Sequence, residues 1–320
     1  THPLWDVILS VYIITFLLGL PANLLALYAF IMKIHKKPTP TDILLLNLTV
    51  SDLVFLLFLP LKIHEAASDM VWTFSRSLCK VTSFLFFSTI YTSSLLLMAL
   101  SVDRYLCVTF PVQYRLQRKP LYGVVSCLVI WAFSMGHLCF IYIVEGKTGM
   151  EEGLEPFVCY SNFTQDQMKL VLPFRLELCV VLFIIPLLVC TFCYLNFILI
   201  LSRTPNLRAE KKNRAIGMAL GTLLVFLVCF LPYNVSHVQG YMIQDNVSWR
   251  PYALLLTSVN TVLDPVTFYF SSSCFQATVK RILCGKRNAS RGLITMPQNN
   301  TRDTEGRGNL PSTEGVLSDH

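Results

Sequence analysis

Residues 178–201, LCVVLFIIPLLVCTFCYLNFILIL, contain no charged side chain. About 20 apolar residues in a helix cross the hydrocarbon of a bilayer. A helix also satisfies its own backbone there, so this stretch reads as a membrane-spanning helix. Just ahead of it stands Arg175, in Val171-Leu172-Pro173-Phe174-Arg175-Leu176-Glu177-Leu178. An arginine fused to such a helix costs roughly 2.5–3.5 kcal/mol at mid-bilayer on insertion scales, and less near an interface. Glu177 cannot offset that cost, because residues two apart on a helix point to opposite sides. A ligand carrying negative charge would.

Six further runs have spanning length: Val7–Met32, Ile43–Leu61, Val81–Val102, Leu121–Val144, Ala215–Tyr241 and Pro251–Phe275. Asp52 and Asp264 are the full charges inside the seven. The whole chain of 320 residues is 54% hydrophobic and 14% charged, against about 25% charged in soluble domains. Mean hydropathy is +0.56. No run reads as tandem strands, which argues against a β-barrel. The expected class is an all-α membrane protein, a seven-transmembrane helix bundle.

Lysine and arginine set the orientation. Lys33, Lys36 and Lys37 follow the first span, Arg115, Arg118 and Lys119 the third, Arg203, Arg208, Lys211, Lys212 and Arg214 the fifth, and Lys280, Arg281, Lys286 and Arg287 the seventh. Residues 1–6 are therefore expected outside the cell, 7–275 in the bundle, 276–287 in a short amphipathic eighth helix and 288–320 in a disordered cytoplasmic tail. No cleavable leader is expected. The net charge of +7 follows from this rule and from anionic inner-leaflet lipid, without nucleic acid as a partner. No metal-ligand spacing, nucleophile–base pair or phosphate loop points to an enzyme.

Of eleven cysteines, most lie inside spans and read as small apolar residues. Cys79 and Cys159 fall on outer segments, where oxidation is permitted. A disulfide joining the top of the third span to the loop after the fourth is expected, with two free thiols as the alternative. Asn162 and Asn246 open sequons on outer loops and are expected to carry glycans. Asn47 and Asn234 open sequons inside helices, and Asn288 and Asn299 on the inner tail; all four should be silent.

The third span ends in Asp103-Arg104-Tyr105. Asn23, Asp52, Trp131, Pro186 with Tyr194, Cys229-Phe230-Leu231-Pro232 and Asp264-Pro265 each fall in their own span, in order. This constellation resembles the rhodopsin-like G-protein-coupled receptors. The resemblance implies that Asp103, Arg104 and Tyr105 serve coupling to a heterotrimeric G protein. It also implies that Asp52, Ser93, Asn260 and Asp264 form a pocket for an allosteric sodium ion. Two intramembrane carboxylates in one cavity need a cation, a shared proton or polar partners in any case. Phe230 and Phe268 replace the usual tryptophan and tyrosine. Lys212 stands where some members place an acid opposite Arg104, so Asp103 is the expected local partner of that arginine.

At the outer level Arg175, Arg250 and His237 come from three different spans. His237 lies about one turn, ~5.4 Å, below the outer end of its helix. Tyr233, Asn234, His237 and Tyr241 form a polar stripe on an apolar helix, expected to face the interior. His137 lies about two turns down and Tyr91 deeper, with Leu172, Phe87, Phe174, Val235 and Val238 as apolar wall. Three alternatives stay open: Arg175 snorkelling to the interface, Arg250 as solvated rim beside Asp245, and His237 in an interior hydrogen bond. Together, three basic or basic-capable groups in one mouth call for an anion, and paired arginines grip a carboxylate well.

Gly19-Leu20-Pro21-Ala22-Asn23, Ile63-His64-Glu65-Ala66-Ala67-Ser68, the Arg175 segment and Pro232-Tyr233-Asn234-Val235-Ser236-His237 are similar to the free fatty acid receptors, closest to the members that sense short-chain acids. That resemblance implies a carboxylate clamp of Arg175 and Arg250, helped by His237, with His137, Tyr91, Asn234 and Tyr233 around it. It implies a receptor for acetate, propionate or butyrate at the plasma membrane, signalling through Gi/o or Gq/11 proteins. Cys159-Tyr160-Ser161 replaces the Cys-Tyr-Glu of those members, which bears on chain length. At a ceiling of ~1.5 kcal/mol per heavy atom, acetate could bind no tighter than tens of micromolar. Receptors for longer fatty acids, other small organic anions or nucleotides are the alternatives within the class. An organic anion transporter is the alternative outside it; basic groups at the rim instead of the midplane argue against that. In the tail, Cys284 is a candidate palmitoylation site. Thr301, Thr304, Ser312, Thr313 and Ser318 could take phosphate and recruit arrestin.

Overall fold

The computed structural model describes residues 3–147, 157, 159–160, 163, 165–205 and 207–283. Its helices are α1 (Pro3–Lys36), α2 (Pro40–Ala67), α3 (Arg76–Thr109), a short α4 (Pro111–Gln117), α5 (Pro120–Lys147) and α6 (Gln165–Cys179). A π-helical turn, Val180–Ile184, joins α6 to α7 (Ile185–Arg203), and α8 (Ala209–Ile243), α9 (Arg250–Ser271) and α10 (Ser273–Leu283) follow. Among the described residues, seven helical segments are long and apolar enough to cross a membrane, with α6, the π turn and α7 forming one of them. Most overrun the apolar runs by continuing into polar ends, while α9 stops at Ser271, short of the expected Phe275. Thr39 Oγ1 accepts the Asp42 N–H at the start of α2, with Pro40 in the first turn, where its missing N–H costs nothing. Ser75 caps α3 in the same way through Leu78.

α3 is the central post, packed against α2, α5 and α7, while α1 closes on α9 and α8 on α9. Its buried Thr82, Ser88, Thr92 and Ser101 are small enough for neighbouring helices to approach closely. Large apolar side chains such as Leu57 and Leu188 point outward and are exposed, as a lipid-facing surface allows.

Two prolines leave carbonyls without helical donors, and other helices supply them. Pro186 cannot serve Leu182, whose carbonyl instead accepts Ser94 Oγ from α3 at 3.0 Å. Pro265 cannot serve Thr261, whose carbonyl accepts Asn23 Nδ2 from α1 at 2.8 Å. The second amide hydrogen of Asn23 goes to Gly19 O at 2.9 Å.

α10 begins at Ser273, and its buried Phe275 packs on Phe30 and Phe268. Lys280 and Arg281 occupy its last turn. At the opposite end of the bundle a disulfide links Cys79 at the start of α3 to Cys159, with Cα atoms 5.8 Å apart. Glu65 of α2 ties the same loop down. Its Oε1 accepts the Cys159 N–H at 3.0 Å and its Oε2 accepts Lys62 Nζ at 2.9 Å.

Candidate functional site

α6 starts at Gln165, well before the apolar run, so Arg175 stands inside a longer helix. The sequence reading put it close to water; in the bundle it is only 3% exposed. Its guanidinium lies under two rings, 6.0 Å from Tyr160 and 5.5 Å from Phe163. Nη1 donates to Asn246 Oδ1 at 2.9 Å. Among the described residues, Nε and Nη2 are buried with no acceptor.

Arg250, first residue of α9, donates from Nη2 to the Tyr233 hydroxyl at 3.2 Å and lies 5.5 Å from that ring. Among the same described residues its Nε is also buried without an acceptor. His237 is 2% exposed, and its Nε2 meets the Tyr91 hydroxyl at 3.1 Å. Its ring packs edge-on against Tyr233 at 4.5 Å. Tyr91, His237, Tyr233 and Arg250 thus form a continuous chain across α3, α8 and α9. Arg175 and Arg250 lie within electrostatic range of each other and of His237. Guanidinium N–H groups left buried and unpaired are costly, and a carboxylate would satisfy them.

A cavity of about 140 Å³ adjoins this group, bordered by Tyr12, Glu65, Phe87, Tyr160, Asn246 and Arg250. Drug-sized pockets hold about 300–1,000 Å³, so this one suits a ligand of a few heavy atoms. Tyr160 roofs the site in a left-handed conformation, φ 62°, uncommon for a residue with a ring. Its ring packs on Phe87 at 4.8 Å. These roofing aromatics and the role of Asn246 were not read from the sequence. Only the Cys159 anchor hinted at where Tyr160 would lie.

Three features of the expected pocket need correction. Tyr241 is 39% exposed, and Val235 and Val238 are 44% and 37% exposed. All three look away from the interior, while Tyr233, Asn234 and His237 face it. Asn234 Nδ2 is spent on the Phe230 carbonyl at 2.9 Å, inside the helix. His137 is half-buried and pairs with Glu177 Oε1 at 3.1 Å, so it does not join the arginines. Glu177 has this partner instead of Arg175, as helical spacing requires.

At the other end, Asp103 does not hold Arg104. Its two oxygens accept the Tyr114 and Thr41 hydroxyls, each at 2.5 Å. Arg104 Nη1 instead reaches the Tyr194 hydroxyl at 3.4 Å. Consecutive helical residues diverge by about 100°, which turns Asp103 outward and Arg104 inward. Burial, with the Asp103 carboxylate adding to it, raises the pKa of the Tyr114 phenol, so it stays a hydrogen-bond donor. Lys212 Nζ donates to the Ser202 carbonyl at 2.7 Å. Tyr105 packs edge-on to Phe192.

In mid-bundle Asp52 and Asp264 are buried and face each other. Asn260 Nδ2 donates to Asp264 Oδ2 at 2.9 Å, and Ser93 Oγ pairs with Ser51 Oγ at 3.0 Å. Asp52 Oδ2 and Asn260 Oδ1 are buried acceptors without a donor. Asn162, Ser161, Cys284 and the tail sites from Asn288 onward lie outside the described residues.

A seven-helix bundle with a charged triplet at one end and a small cationic pocket at the other defines a membrane receptor. The chain belongs to the rhodopsin family of seven-transmembrane receptors, whose sequence profile, described as "7 transmembrane receptor (rhodopsin family)", matches residues 22–268. It is a multi-pass membrane protein and a receptor, not an enzyme. It is similar to "Free fatty acid receptor 2" of Homo sapiens, 48% identical over 292 residues, 90% of this chain and 88% of the relative. The same receptor of Rattus norvegicus is 46% identical over 317 residues, 98% of this chain and 93% of the relative. "Free fatty acid receptor 3" of Mus musculus is 44% identical over 276 residues, 86% of each chain.

Proposed function

We propose that the chain is a G-protein-coupled receptor activated by short-chain fatty acids such as acetate, propionate and butyrate. Arg175 and Arg250 hold the carboxylate at the extracellular mouth, with His237, Tyr91 and Tyr233 fixing the geometry around them. The observation that carries this reading is the set of buried, unpaired guanidinium N–H groups on two helices beside a cavity of about 140 Å³. The names of its relatives support it. A carboxylate offers two acceptor oxygens for charge-assisted bonds, and the small cavity limits the alkyl tail.

In this reading the N-terminus is extracellular and the receptor sits in the plasma membrane. Arg104, with Lys211 and Arg214 around a second cavity of about 280 Å³, faces a Gi/o or Gq/11 protein. Asn162 and Asn246 are outer glycan sites, Cys284 is palmitoylated and arrestin binds the phosphorylated tail. Asp52, Ser93, Asn260 and Asp264 would hold a sodium ion, a reading supported by Asp52 Oδ2 and Asn260 Oδ1, buried acceptors without a donor among the described residues.

The test is a carboxylate series from acetate to decanoate, read as G-protein activation in cells. Response is expected to rise over the first few carbons, by a few-fold per buried methylene, and then fall. Arg175→Ala and Arg250→Ala should each abolish the propionate response while surface expression persists. A full response in either variant removes the clamp.

A further inference from the structure

The cavity touches Arg250 but not Arg175. Asn246 and Tyr160 border both the cavity and the Arg175 guanidinium. Asn246 belongs to the loop between α8 and α9, and that loop is tightly set. Gln244 ends α8 in a left-handed conformation, φ 56°. The Asp245 N–H donates to Gly240 O at 3.2 Å, Asn246 N–H to Asp245 Oδ1 at 2.6 Å and Arg250 N–H to Val247 O at 3.2 Å. Val247 is buried. A Cβ on Gly240 would come within 3.1 Å of the Asp245 carbonyl, so the close turn uses that glycine. The loop therefore presents the Asn246 carboxamide to Arg175 by construction.

We propose that Asn246 is a displaceable placeholder for the ligand, a residue that sets receptor sensitivity by occupying Arg175 until a carboxylate arrives. An amide gives the guanidinium one neutral acceptor, whereas a carboxylate gives two charged ones, roughly twice as strong each. The ligand meets Arg250 at the cavity wall first. Because Asn246 borders both that cavity and Arg175, it must swing aside, releasing Nη1, before the ligand reaches the unpaired Nε and Nη2 of that guanidinium. Sensitivity is thereby set below what the bare clamp would give. This inference rests on the carboxylate reading of the same site.

Asn246 also opens a sequon, so its test must separate the side chain from any glycan. Ser248→Ala removes the sequon and keeps the amide, and serves as the reference. Propionate concentration–response is measured for the full-length receptor in cells, normalised to surface expression. Asn246→Ala should respond at about two- to tenfold lower propionate than Ser248→Ala, the range of one net hydrogen bond. Asn246→Asp should need more than tenfold higher propionate, because a tethered carboxylate then holds Arg175. Asn246→Ala at or above the Ser248→Ala concentration overturns the proposal; a merely structural role for the amide would give that result. If no carboxylate activates the unmutated receptor, the underlying reading fails instead.

Discussion

Tyr233 serves Arg250 twice, accepting a hydrogen bond at 3.2 Å and lying beside the guanidinium with its ring. Tyr233→Phe keeps the ring and removes the acceptor. Bonds to charged groups contribute about 1.5–3 kcal/mol, so propionate potency should fall about tenfold or more at unchanged surface expression. An unshifted curve would mean that packing alone aims Arg250. Depth along a helix follows from counting residues, so Arg175, His237 and Arg250 were placed at one level from sequence. Azimuth was less legible. Val235, Val238 and Tyr241 share the level of His237 yet point outward, and His137 turns to Glu177. Partners from loops have no period to read. Asn246 looked like a glycan acceptor, and nothing in its neighbours announced the bond to Arg175.

At the scale of elements, the prolines were visible and their compensations were not. Pro186 follows the π turn, and the Leu182 carbonyl depends on Ser94 from α3. Ser94→Ala should destabilise the receptor by about 1–3 kcal/mol, the cost of a buried unsatisfied carbonyl. Thermal unfolding of the detergent-solubilised protein checks this. A lower midpoint for Ser94→Ala, restored in Ser94→Thr, is expected; equal midpoints for all three would show the carbonyl satisfied elsewhere. A sequence shows which backbone donor a proline removes, but the replacement comes from whichever helix the bundle brings alongside.

For the whole molecule, hydropathy and charge alone were enough to draw seven helices, because the bilayer demands a fixed apolar length. Helix ends were less legible, since polar extensions such as Gln165–Lys169 carry no hydropathy signal. The disulfide was expected from compartment alone, and Cys79–Cys159 forms. It fastens the roof residue Tyr160 to the post of the bundle. Cys79→Ser should lower the thermal midpoint in line with a loss of about 2–4 kcal/mol and weaken the propionate response. Reductant should move the unmutated receptor towards the same midpoint; a receptor indifferent to reductant would show that Glu65 alone holds the loop.

Asn23 gives one amide hydrogen to Thr261, 238 residues along the chain. During synthesis α1 enters the membrane before α9, and its amide waits in hydrocarbon until α9 is made. A nascent chain interrupted before Thr261 never supplies that partner. α1 thus carries a chemical record of whether α9 has arrived.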